Sequence, residues 1–170
     1  MDRSRTLITL IIMVGVGAFL FRFLLGDRLN PEKRLESQRA AQEFAIQNQE
    51  LLVTNQQREG VQTTASGLQY EVLASGSGRT PSRSDRVTVH YRGKLVDGTE
   101  FDSSYKRGKP ANFPVGGVIK GWTEALMMMK EGDKWRLVIP PELGYGSQGA
   151  GNVIPPNATL DFDVELIEVN

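Results

Sequence analysis

The chain has 170 residues, enough for one ordinary domain and an appendage, and 20 Lys and Arg residues balance 20 Asp and Glu residues. This balance argues against the basic field that recruits nucleic acid, so nucleic acid is not an expected partner. The chain has no cysteine and a single histidine, His90. Disulfides and thiolate zinc sites are therefore excluded, imidazole-rich metal sites lack ligands, and we expect neither a metal nor a cofactor.

The first segment of interest is apolar. Residues 6–25 carry one charge, Arg22, near their end. A helix of about 20 apolar residues spans the hydrocarbon core of a bilayer, and an arginine near its end can snorkel to the interface. We therefore assign residues 1–26 to a membrane anchor. A cleaved secretory signal, with small residues at positions 16–18 as the cleavage site, is the alternative.

Residues 27–66 are interpreted as a Gln-rich helical spacer. Between Pro31 and Glu59 there is no further glycine or proline, and Gln, Glu, Arg and Ala favour a helix, which Gly60 would end. Several apolar residues share one face at helical spacing, interrupted by Asn48: Ala41, Phe44, Ala45, Leu51 and Leu52. A solvated spacer that holds the next domain away from the bilayer is one interpretation, and a weak dimer through this helix is the other.

From Leu68 the pattern changes to strands and turns. The predicted strands are 68–74, 86–96, 99–102, 134–140 and 159–169, with Asp97-Gly98 as a hairpin turn and 106–117 as a loop. One helix is predicted within residues 118–132, where Trp122, Leu126 and Met129 recur at the spacing of one apolar face. The sum is an α+β domain, an antiparallel sheet with one short helix packed on it.

Two long strings carry a resemblance to a known family. VHYRGKLVDGTEFDSSYKRGKPANFPVGGVIKGWTEAL and GDKWRLVIPPELGYGSQGAGNVIPPNATLDFDVELIEV resemble the signature of the FKBP-type peptidyl-prolyl cis/trans isomerases. The preceding GLQYEVL and the Gln-rich helix look most similar to the bacterial macrophage infectivity potentiator-like type. The resemblance covers nearly all of residues 67–170. It implies an FKBP-like half-open antiparallel β-sheet wrapped on one short α-helix.

The resemblance also implies an apolar pocket between the sheet and the helix. The positions carried over as catalytic are Asp102, Tyr145, Ile119 and Trp122, and those carried over as substrate-binding are Tyr91, Phe101, Arg107, Phe113, Val118, Ile154 and Phe162. Trp122 would form the pocket floor, while the Ile119 backbone N–H and the Tyr145 hydroxyl would donate hydrogen bonds to the substrate. Relatives often carry a further aromatic at the position of Ala111, and the turn before Val118 is shorter here.

The chemistry implied is rotation about an X-Pro amide, whose barrier is roughly 20 kcal/mol. No covalent bond breaks in this reaction, so no nucleophile is needed. The absence of cysteine is compatible with that chemistry. Amide resonance places charge on oxygen and nitrogen, and a desolvated aromatic pocket favours the less polar twisted state. We expect Asp102, beside Phe101, to pair with Arg107 or Tyr91 and to orient the pocket without taking a proton. His90 should point away from Tyr91 across the strand and be structural.

These observations predict a peptidyl-prolyl isomerase that acts on exported clients. The expected partners are proline-containing unfolded or flexible polypeptides and the membrane, and the resemblance adds a macrolide as a candidate ligand. A peptide-binding chaperone or membrane adaptor without turnover is the alternative. By analogy with anchored relatives, the domain should face the periplasm from a single-pass anchor in a bacterial inner membrane, or be soluble there after signal cleavage. The flanking charges do not favour this orientation, because two arginines precede the apolar segment and four basic residues follow it by residue 39.

Overall fold

The structure, a computed structural model, describes residues 30–170. The predicted anchor at residues 1–26 therefore lies outside the described residues. From residue 30 onward, none of the helices combines the length and the hydrophobicity needed to cross a bilayer.

Helix α1 spans Pro31–Asn55. It begins after Asn30, whose side-chain oxygen accepts a hydrogen bond from the Glu32 N–H at 3.1 Å, and proline suits the first helical position. The helix ends four residues before the predicted end at Glu59. A turn closed by the Arg58 N–H on the Asn55 carbonyl follows, and Gly60 (φ +83°) lies in the left-handed region.

The chain divides into two compact units, residues 1–43 and 44–170. The second unit therefore begins within the segment that the sequence assigns to the spacer. Phe44 packs against the hydrophobic core, and Asn48 and Asn55 are buried. Asn55 donates to the side chain of Gln69 at 2.8 Å and accepts from Arg136 at 2.9 Å. Polar side chains thus attach the last part of α1 to the sheet.

Seven strands form one antiparallel sheet. They are β1 Val61–Thr63, β2 Gln69–Ala74, β3 Arg86–Lys94, β4 Glu100–Ser103, β5 Ala111–Pro114, β6 Lys134–Ile139 and β7 Leu160–Val169. Their order is β1-β2-β6-β7-β3-β4, and β5 also pairs with β3. Strand β5 lies in the segment predicted as a loop, so that prediction was wrong. Its backbone pairs with β3, from Arg86 opposite Pro114 to Val89 opposite Ala111, although its sequence has no alternation to reveal a strand.

Strand β3 organises the sheet. Along one edge its first half pairs with β5 and its second half with β4, while its other edge pairs with β7. Val87, Val89 and Tyr91 alternate into the core. Helix α2, Lys120–Leu126, packs its buried face against this side of the sheet, with Trp122 and Leu126 in the common core. The predicted α+β architecture with a half-open antiparallel sheet is confirmed.

Candidate active site

A cavity of about 450 Å³ opens between α2 and the sheet. Its walls are mostly aromatic and aliphatic, with one carboxylate. The lining residues are Tyr91, Phe101, Asp102, Phe113, Gly117, Val118, Ile119, Trp122, Tyr145 and Phe162. A volume of this size suits a small ring with its neighbouring groups, since ligand pockets commonly measure a few hundred cubic ångströms.

Trp122 is the centre of the aromatic cluster. Its ring centroid lies 5.2 Å from that of Tyr91 and 5.3 Å from that of Phe162, with interplanar angles of 88° and 78°. Phe113 makes a third edge-to-face contact at 5.9 Å. Such geometry is favoured between aromatic rings. The indole is 4% exposed, so it forms a buried aromatic floor for the cavity.

A closed polar network stands at one wall. The Tyr91 hydroxyl donates to Asp102 Oδ2 at 2.5 Å and accepts from Arg107 Nη2 at 2.6 Å. Arg107 Nη1 also donates to Asp102 Oδ1. Arg107 is not a lining residue; it holds Asp102 and Tyr91, which are.

The network fixes the protonation states of the site. Burial alone would raise the pKa of Asp102, but hydrogen bonds from Tyr91 and Arg107 and the charge of Arg107 outweigh it, and the pKa lies below its usual value. Burial and the Asp102 carboxylate raise the pKa of Tyr91, and the same two causes raise the pKa of Tyr145. At neutral pH Asp102 is an anion and a poor proton acceptor, while both tyrosines keep their protons.

Two hydrogen-bond donors are open to a ligand. Ile119 immediately precedes α2, and its carbonyl accepts the first helical bond from Thr123 at 3.0 Å. Among residues 30–170 no acceptor is found for the Ile119 N–H, as is usual for the first N–H groups of a helix. Tyr145 lies between two short 3-10 turns, Pro141–Leu143 and Gly146–Gln148, and its side chain is 39% exposed.

The structure brings together nine of the eleven residues carried over from the resemblance as pocket lining. The two that do not line the cavity are Arg107 and Ile154. Ile154 is 7% exposed and belongs to the hydrophobic core, where its backbone pairs with Ala150. Gly117, which was not among the predicted site residues, does line the cavity.

Gly93 is a site residue that sequence reasoning missed. It lies in β3 opposite Asp102 of β4 and Phe162 of β7. A Cβ added there would lie 2.5 Å from Phe162 Cε1 and 2.6 Å from Phe101 Cζ. A glycine inside an alternating strand pattern is the signal that could have found it, because it often marks a close approach.

Ser104 was also missed, and nothing in its sequence context distinguishes it from an ordinary turn residue. It is fully buried. Its hydroxyl accepts from the Tyr91 N–H at 2.8 Å and lies 2.9 Å from His90 Nδ1. His90 stacks on Tyr105, with centroids 4.6 Å apart, and does not line the cavity. The predicted structural place of His90, away from Tyr91, agrees with this arrangement.

The comparison with known proteins extends over most of the chain. Residues 77–167 match the family model described as FKBP-type peptidyl-prolyl cis-trans isomerase, and residues 24–72 match the domain amino terminal to it. The FKBP-type 22 kDa peptidyl-prolyl cis-trans isomerase of Escherichia coli (strain K12) is 56% identical over 128 residues, covering 75% of this chain and 62% of that protein. The peptidyl-prolyl cis-trans isomerase Mip of Coxiella burnetii is 54% identical over 125 residues, covering 74% and 54%.

Among solved structures, the crystal structure of FkpA from Escherichia coli aligns with a TM-score of 0.78 at 37% identity. The alignment covers 100% of this chain and 83% of that one. The matched regions account for 62% and 54% of the length of the two relatives compared by sequence, which is less than two thirds of each. With its half-open sheet, its aromatic pocket and a family match over more than half its length, the chain belongs to the FKBP-type peptidyl-prolyl cis-trans isomerases.

Proposed function

We propose that this chain catalyses cis/trans isomerisation of X-Pro bonds in exported, unfolded or flexible polypeptides. The observation that carries the proposal is the aromatic pocket, in which Tyr91 and Arg107 hold Asp102 ionised. The prolyl ring lies on Trp122, and the polypeptide leaves the open side of the cavity in both directions.

The proposed mechanism needs no covalent step. The planar amide carries charge on its oxygen and nitrogen, and that charge falls as the bond twists. A pocket lined by aromatic edges solvates the charges of the planar amide poorly, so the free energy of the twisted form falls relative to that of the planar form. The Ile119 N–H and the Tyr145 hydroxyl hold the carbonyl groups around the proline in a geometry that favours the twisted form. Asp102 contributes its negative charge and holds Tyr91 and Arg107 in position, and it transfers no proton.

The test is an isomerisation assay on the full chain in detergent, with a short proline peptide as substrate. We expect acceleration over the uncatalysed rate, a loss in Tyr145→Phe, and none in Tyr105→Phe. The two tyrosines are similarly exposed, 39% and 45%, but Tyr105 bonds to Glu165 outside the cavity. A rate equal to the uncatalysed one would leave a peptide-binding chaperone or adaptor as the function. A macrolide that occupied the proposed site would inhibit the accelerated reaction.

We also propose that residues 1–26 anchor the protein in a bacterial inner membrane, with the isomerase domain in the periplasm. The apolar run of residues 6–25 supports an anchor. Protease added to spheroplasts should digest the domain, whereas protection until lysis would place it in the cytoplasm. Release of the domain with the soluble periplasmic fraction would instead support a cleaved signal. A weak dimer through the spacer helix would appear as a concentration-dependent mass in sedimentation.

A further inference from the structure

The last part of α1 is attached to the sheet domain by two buried asparagines that contact different places. Asn48 and Asn55 are 5% and 4% exposed. Asn55 contacts Gln69 of β2 and Arg136 of β6. Asn48 instead reaches Thr159, the residue immediately before β7. The two side chains therefore share a helix and a degree of burial, but only Asn48 contacts the end of the loop that carries Tyr145.

The Asn48 amide is oriented by bonds on both sides. Its Nδ2 donates to the Phe44 carbonyl at 2.6 Å within the helix. Its Oδ1 accepts from the Thr159 N–H at 2.6 Å. Thr159 is completely buried, so this N–H has no access to water and depends on Asn48 for an acceptor.

The Thr159 end of the loop is connected to Tyr145 by a short path. Residues 140–159 connect β6 to β7 and carry Tyr145. Asn157, two residues before Thr159, donates its N–H to the Gly146 carbonyl at 2.8 Å. Gly146 follows Tyr145 directly. Farther out, the loop is closed by reciprocal backbone bonds between Ala150 and Ile154, at 2.9 and 3.1 Å.

No hydrogen bond from the Tyr145 hydroxyl is found within residues 30–170, although the ring lines the cavity. Its position therefore depends on how the ring packs and on where the backbone of its loop lies. We propose that Asn48 is a positioning residue for the isomerase reaction: it fixes the Thr159 end of the loop and thereby the place of the Tyr145 hydroxyl. This inference rests on the proposed function.

The experiment compares Asn48→Ala with Asn55→Ala in the full chain, at a temperature where both variants are folded by circular dichroism. Both should unfold at lower temperature than the wild type, because each loses one attachment of α1. Only Asn48→Ala should lose kcat/KM, by roughly 3- to 10-fold, since small displacements of a positioning group reduce rates without abolishing them. Equal kcat/KM in the two variants would overturn the proposal.

A double-mutant cycle separates positioning from simple stabilisation. In a Tyr145→Phe background, Asn48→Ala should change kcat/KM little, because the hydroxyl that it positions is already gone. Fully multiplicative losses would show that Asn48 acts independently of that hydroxyl and would overturn the proposal. If Asn48→Ala does not fold, Asn48→Ser carries the test, because it stays polar but its hydroxyl lies one bond closer to the helix than the amide oxygen that accepts from the Thr159 N–H. A folded Ser variant with wild-type kcat/KM would overturn the proposal too.

Hydrogen exchange gives a readout that does not depend on turnover. The amides of Ala150, Ile154 and Asn157 should exchange faster in Asn48→Ala than in Asn55→Ala. Unchanged exchange would refute the inference. If the wild-type chain does not accelerate isomerisation, the proposed function fails by itself, and exchange alone still decides whether Asn48 holds the loop.

Discussion

Substitution of Gly93 by alanine tests whether the aromatic wall of the pocket depends on its packing against a bare backbone. Gly93 is not among the glycines with positive φ, so the cost of a side chain there is steric. The new Cβ would meet Phe162 Cε1 at 2.5 Å and Phe101 Cζ at 2.6 Å. Ordinary carbon–carbon contacts are about 3.5–4.0 Å. Both rings would therefore have to move by roughly 1 Å.

Both stability and activity should fall. Overpacking costs about 1–3 kcal/mol, while loss of glycine freedom in the unfolded chain gives back about 0.4–1 kcal/mol. The net loss in the free energy of unfolding is thus roughly 0–2.5 kcal/mol. A displacement of about 1 Å in a binding wall should lower kcat/KM by roughly 10- to 100-fold.

The assay pairs isomerisation of a proline peptide with denaturant unfolding of the same sample. As a control, Phe101→Leu in the Gly93→Ala background removes one of the two clashing rings and should recover much of the lost stability. A Gly93→Ala variant with wild-type kcat/KM would refute the reasoning, because the rings would then have room that the structure does not give them.

Four further predictions concern the polar network and the short 3-10 turn beside α2, Val115–Gly117. Asp102→Asn should lower kcat/KM several-fold. Both forms should nevertheless give a kcat/KM that is flat from about pH 5 to about pH 9, because the pKa of Asp102 is lowered from 3.8 and that of Tyr91 is raised from 10.0. A loss of kcat/KM that followed the titration of a base would contradict the role assigned to Asp102. The stabilisation from ionised Asp102 is present above pH 3.8 and is lost as the pH falls through the lower folded-state pKa, which an acid unfolding series on both forms would measure. Tyr91→Phe removes the donor to Asp102 and should cost about 1 kcal/mol in denaturant unfolding, because the carboxylate is partly exposed; no change would mean that the bond contributes nothing. The Thr123 hydroxyl donates to the buried Val115 carbonyl at 2.7 Å. Thr123→Val leaves that carbonyl without a donor and should lower the free energy of unfolding by about 1–3 kcal/mol. Thr123→Ser, which keeps the hydroxyl, is the control.

Alternation predicted the long strands well. β3 and β7 face the core on one side and solvent on the other, so their buried residues recur at every second position. β5 escaped prediction because its residues are set between glycines and prolines, and because it exists through pairing with a distant strand. The pocket could be predicted only through the resemblance. Aromatic residues recur at the same sequence spacing whether they line a pocket or pack in the hydrophobic core.

Local patterns also could not show which polar residues join distant segments. Asn48 interrupts an apolar helical face in the sequence, and its partner Thr159 is 111 residues away. Gly93 and Ser104 likewise gain their importance from Phe162 and Tyr91 across the sheet. Such contacts arise only when distant segments pack together, and local sequence patterns give no information about which distant segments do so.

The place of β7 in the sheet has a consequence for biosynthesis. This strand is the last of the seven to be synthesised, yet it lies between β6 and β3. Until residues 160–169 emerge, the nascent chain has two groups of strands with open edges and no way to join them, and open edges favour aggregation. We expect the domain to fold only after its synthesis is nearly complete, and until then its open strand edges are exposed to aggregation.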